Sequence, residues 1–177
     1  MASTQEDDLI KRIALAMSEN PRYTIKELAE VSGISKATLH RFCGTRENLQ
    51  NILLQRAETT VVSIVKAAEK EYEDYVIGLK ELIAAHYKDY EIFRWISSIP
   101  FSSLKHQNCP DYFIAVEKFF LRGQKQGAFR IDFNVSFLTN VFMSSICGLI
   151  DAERRGRVAR VGIAEAFEDF FLHGIRQ

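Results

Sequence analysis

The chain has 177 residues, 47% of them hydrophobic and 26% charged, which suits a folded protein with a sizeable core and excludes a disordered segment. Lys plus Arg and Asp plus Glu both total 23, so no global basic charge marks a polyanion partner, and any nucleic-acid surface has to be local. Three Pro and nine Gly, with long stretches free of both, argue against many short strands and predict an all-α fold.

In chain order, a first helix is predicted over 8–18, where Ile10, Ile13, Ala14 and Met17 fall on one face. It stops ahead of Pro21, because proline disfavours helical geometry in the residue before it. Thr24 and Glu27 have the spacing of a capping box, Tyr23 and Leu28 that of a hydrophobic staple, and Ile25, Leu28 and Ala29 form the apolar face of a second helix. That helix ends at Ser32 and Gly33, where glycine can take the left-handed turn, and Ser35 caps a short third helix reaching about Phe42. Thr45 caps a long fourth helix, predicted over 46–73. Further helices are predicted over 74–90, 91–104, 111–126, 133–153 and 162–175, about nine in all, with breaks at Pro100, at the loop 106–110 and at Gly127.

Cys43, Cys109 and Cys147 are odd in number and too widely spaced for a zinc pattern, so a reducing, cytoplasmic setting is expected, with no metal and no cofactor. The polar, acidic residues 1–8 do not read as a secretory signal. The most apolar stretch, 137–150, is interrupted by Thr139, Asn140, Ser144 and Ser145 and is expected to be too short and too polar to span a bilayer. No phosphate loop, nucleophile elbow or zincin motif occurs, and the acidic run Glu69, Glu71, Glu73 and Asp74 reads as a wet helix end, so an enzyme is not expected.

The paired short helices carry the functional signal. A helix-turn-helix needs a small residue where its helices meet, a turn glycine, and apolar anchors that leave the second helix free to enter a major groove. Ala29, Gly33, Ile34 and Leu39 fill those places, and around them Arg22, Lys26, Lys36, Arg41 and Arg46 outnumber Glu27 and Glu30. The run from Thr24 to Phe42, followed by Gly44, Thr45, Arg46, Glu47, Asn48 and Leu49, resembles the DNA-binding domain of TetR-family regulators. A second stretch, from Phe120 to Arg130 with Asp132, is similar to the segment that precedes the last two helices of that family. At His40, Cys43 and Gly44 the chain departs from the family's usual tyrosine, aromatic and proline.

The resemblance implies a three-helix DNA-binding domain over 1–56 and a helical effector-binding and dimerisation domain over 57–177. It implies that Lys36 and Arg46 reach phosphates and that Ala37, Thr38, His40 and Arg41 face the groove; Thr24 and Thr45 complete the DNA-binding set. Chemistry agrees in part. Arg41 can pair with guanine, the Thr38 methyl can touch thymine, and the free N–H groups after Thr45 favour a phosphate.

Two apolar stripes suit a dimer face: Ile163, Phe167, Phe170, Phe171 and Gly174 on the last helix, and Phe137, Val141, Ser144, Ser145 and Gly148 on the one before it. The alternative is that both stripes pack within one subunit. Tyr90, Phe93, Trp95, Phe101, Phe113 and Phe142 are expected to line an effector pocket, and the few charges among them suggest an uncharged or weakly polar ligand. The function implied is a repressor that binds a near-palindromic operator as a homodimer and is released by a small molecule. Two alternatives stay open: a helical protein-interaction adaptor, and a redox-switched regulator acting through Cys43, whose neighbours Arg41 and Arg46 would lower its pKa.

Overall fold

The computed structural model describes residues 4–99 and 109–176. Among the described residues it has nine helices: α1 (Thr4–Glu19), α2 (Ile25–Val31), α3 (Lys36–Cys43), α4 (Arg46–Glu69), α5 (Tyr75–Lys88), α6 (Tyr90–Ser98), α7 (Cys109–Lys125), α8 (Val135–Arg154) and α9 (Ile163–Ile175). The one β feature among them is an isolated antiparallel bridge between Phe129 and Arg176. The chain divides into two compact units, 1–60 with 89–105 and 61–88 with 106–177. The division expected at residue 56 therefore falls inside the continuous helix α4, and the chain returns to the first unit at α6.

In the first unit Ile13, Leu28, Leu39, Leu49 and Leu53 are fully buried and hold α1 to α4 together. α6 packs along α1. Its Tyr90, Phe93 and Trp95 are buried, and Arg94 pairs with Glu19 of α1. In the second unit the core is aromatic. Phe142 meets the rings of His86 and Phe171 at 5.4 Å and those of Phe120 and Phe167 at 5.7 Å. A Cβ at Gly123 would lie 2.3 Å from ring atoms of the buried Phe129, so only glycine lets α7 approach that ring.

The six aromatics expected to line one pocket are divided between the units. Tyr90, Phe93 and Trp95 belong to the first unit, Phe113 and Phe142 to the second, and Phe101 lies outside the described residues.

The expectation that the apolar stretch is too short for a bilayer also changes. α8 runs for 20 residues and is long and apolar enough to cross a membrane by length and composition, with 28% of its apolar window buried inside the chain. Val135 and Ser136 at one end and the turn from Asp151 to Arg154 at the other extend the helix beyond the stretch read from sequence, and one side of it packs on α7 and α9 within the second unit.

Candidate nucleic-acid interface

The turn between α2 and α3 is built from local hydrogen bonds. Thr24 Oγ1 accepts the Glu27 N–H at 3.3 Å while Glu27 Oε2 accepts the Thr24 N–H at 2.7 Å, a complete capping box. Those bonds to the charged form hold the Glu27 carboxyl below its ordinary pKa. At the other end of α2 the Ile34 N–H reaches Ala29 O at 3.0 Å and the Gly33 N–H reaches Glu30 O at 3.1 Å, the paired bonds of a Schellman motif. Gly33 has φ 69°, which a side chain would strain. Arg12 of α1 donates to Ser32 O at 2.7 Å and ties the turn to α1.

Ser35 starts α3, its Oγ accepting the Thr38 N–H at 3.0 Å. Leu39 and Cys43 point into the core, while Lys36, Ala37, His40 and Arg41 are exposed on the opposite face. Thr38 is half-buried and shares a 2.8 Å hydroxyl contact with Ser35. The turn into α4 uses Gly44 at φ 67°, and Thr45 Oγ1 accepts the Asn48 N–H at 3.1 Å. Asn48 in turn donates to Cys43 O at 2.8 Å, locking the end of α3 to the start of α4.

Two residues differ from expectation. The Arg46 guanidinium donates to the carbonyls of Tyr23 and, at 2.5 Å, Pro21, so it straps the α1–α2 loop to α4 instead of standing free for a phosphate. Unsatisfied loop carbonyls need donors, and Arg46 is in reach. Cys43 is buried with its S–H toward Leu39 O, and burial raises its pKa, the reverse of what a peroxide-sensitive thiol needs. Both features argue against the redox reading. Arg12 and Asn48 are contributors the sequence did not reveal, because each acts on a carbonyl whose position only the fold supplies.

The residues expected at a dimer face separate by orientation. Ile163, Phe167 and Phe171 are buried inside the second unit, so they are core. Phe137, Val141 and Phe170 are 53%, 37% and 76% exposed, and Gly148 and Gly174 are exposed beside them, with Ser145 half-buried. Phe137, Val141, Phe170 and Gly174 line an open apolar groove of about 660 Å³ along α8 and α9.

The winged helix-turn-helix DNA-binding family matches residues 6–44, the span of α1 to α3. The HTH-type transcriptional regulator NfxB of Pseudomonas aeruginosa is 40% identical over 176 residues, 97% of this chain and 94% of that protein. Among solved structures, the ketosteroid transcriptional regulator KstR2 of Mycobacterium tuberculosis superposes with a TM-score of 0.73 at 16% identity, covering 100% of this chain and 97% of that one. The TetR-family regulator PfmR of Thermus thermophilus gives 0.66 at 21% identity, covering 93% and 97%. The exposed α3 face, the matched helix-turn-helix and the full-length relative converge: this chain belongs to the HTH-type transcriptional regulators with NfxB, is built on the TetR fold, and binds DNA.

Proposed function

We propose that the chain is a repressor that grips a near-palindromic operator through α3, with Lys36 on phosphate and Ala37, Thr38, His40 and Arg41 in the major groove. The observation that carries this is the bare outer face of α3, exposed at Lys36, Ala37, His40 and Arg41 while Leu39 and Cys43 anchor the inner one. The free N–H groups at the start of α4 behind Thr45 offer a second phosphate seat. Thr24 keeps the α2 N-terminus in place through its cap, and Arg46 serves by holding the loop before it. The protein works in the cytoplasm.

Two copies pair through the exposed apolar side of α8 and α9. An apolar face of this kind is unusual on a monomer, and a twofold axis through it sets two reading heads on related half-sites. The second unit takes a small, weakly polar effector. In support, KstR2 is described as a ketosteroid regulator and another structural neighbour, FadR of Bacillus halodurans, as a fatty acid degradation regulator. Such a ligand must favour one arrangement of the heads over the other, since equal affinity shifts nothing.

The test is selection of a duplex from a random pool by the purified protein, then titration at fixed salt. Arg41→Ala is expected to weaken binding to the selected duplex by about 1–3 kcal/mol with helicity intact. Absence of any duplex binding at low salt overturns the reading.

A further inference from the structure

In the DNA-binding unit one guanidinium joins three helices. Arg56 Nε donates to Asp7 Oδ1 of α1 at 2.9 Å, Nη2 to Asp89 Oδ1 ahead of α6 at 2.8 Å, and Nη1 to Thr60 Oγ1 further along α4 at 3.0 Å. Thr60 is fully buried, with its hydroxyl 3.3 Å from Asp89 Oδ2. Lys11 bridges the two acids, 2.8 Å from Asp7 and 3.5 Å from Asp89. The cluster is balanced, two cations against two carboxylates, and only the Arg56 and Asp89 side chains are well shielded, at 18% and 13% exposed. Burial pushes the Asp89 carboxyl up, but the bonds and charges of Arg56 and Lys11 outweigh it and hold it below its ordinary pKa.

Two features set this cluster apart from an ordinary surface ion pair. Asp89 occupies the N-cap of α6, where an aspartate ordinarily accepts an N–H of the first turn, yet it makes no side-chain cap bond. A local rule is broken in favour of a partner 33 residues away, the pattern expected where a tertiary requirement overrides a local one. The second feature is position. Thr60 is the last residue of this unit on α4 and Asp89 is where the chain re-enters it, so the cluster holds the exit and the return together. The same α4 carries Leu49 and Leu53 in the core of the reading head and Asn48 on the end of α3.

We propose that Arg56 is a positioning residue for DNA binding: with Asp7, Thr60 and Asp89 it forms a clasp that holds α4 and α6 in one register on α1, and the head grips DNA with the clasp closed. The clasp touches no DNA. It acts through α4, whose first turns carry α3.

The test uses the full-length protein, a duplex it has selected from a random pool, and two variants of opposite charge effect. Arg56→Met removes a cation and Asp89→Asn removes an anion, so long-range attraction to DNA alone would weaken the first and strengthen the second. A clasp predicts that both weaken, each by roughly tenfold, within the usual span of coupling between distant groups. It also predicts faster amide hydrogen exchange at residues 90–94 than in the unaltered protein, and a double variant no weaker than the worse single one. Lys70→Met, which breaks the Lys70–Glu81 pair of the second unit, serves as the control and is expected to bind as the unaltered chain does. Should Arg56→Met fail to fold, Asp89→Asn decides. Folded Asp89→Asn binding as tightly as the unaltered chain or better, losses that multiply in the double variant, or an equal loss in Lys70→Met each overturn the proposal.

Discussion

The two units are held together by different physics. The reading head relies on hydrogen bonds and charges at helix ends: the capping box of Thr24 and Glu27, the turn at Gly33, the Arg46 strap and the Arg56 cluster. The second unit relies on interlocked rings, with Phe142 meeting three phenylalanines and the buried His86. A helix that must leave one face bare for DNA can bury only the other, so its placement depends on caps and cross-links. A unit free of that demand can build a thick core.

That contrast can be broken most forcefully at Phe142. Its replacement by alanine is expected to cost about 3–5 kcal/mol in denaturant unfolding, because the surrounding rings collapse only partly into the space. A loss under about 1 kcal/mol would show that the aromatic core is not what holds the second unit. Acid should pick out the same unit next. His86 is fully buried; Leu82 O accepts from Nδ1, and because burial keeps the ring neutral, Nε2 accepts from the Tyr112 hydroxyl at 2.8 Å. Burial lowers its pKa to about 4, so the unfolded chain binds the proton first. The stability present above pH 6.5 is then lost as pH falls toward 4, by roughly 3 kcal/mol. Denaturant midpoints against pH, with His86→Phe flattening the slope in that window, check this.

The carboxylates of the head respond in a lower window. Asp7 and Asp89 are held below the ordinary value of 3.8, so their contribution survives until pH drops through that range. The head itself is sharpened by smaller changes. Gly33→Ala puts a side chain at positive φ and should cost about 1–2 kcal/mol, read as a lower melting temperature. Thr24→Ala, which removes the cap of α2, should cost about 1 kcal/mol. Both should raise hydrogen exchange in α2 and α3 before any change in α7 or α8; exchange rising equally everywhere would mean that the two units unfold as one.

Legibility followed sequence distance. The Thr24 cap, the Gly33 turn, the Ser35 cap and the buried positions of α3 could be read directly, because each joins residues close in sequence and obeys helix geometry. Arg46 misled for the opposite reason: its carbonyl partner at Pro21 is 25 residues away, and a free cation beside a recognition helix looks the same in sequence as an occupied one. The dimer stripe was half legible. Periodicity located an apolar helix in α9, but Phe167 and Phe171 face the core while Phe170 faces out, and a broad stripe does not say which edge is covered. That α6 packs along α1 was not legible, because composition carries no information about which neighbour a helix packs against.

By itself the order of residues determined the helices, the helix-turn-helix and the exposed face of α3, since caps, turns and the helical repeat are short-range consequences of backbone geometry. Tertiary structure decided the rest: that α6 returns to α1, that Arg46 and Arg56 are cross-links, and that Cys43 is shielded. Those outcomes depend on burial and on polar groups brought together from 25 to 75 residues apart, which no local pattern encodes.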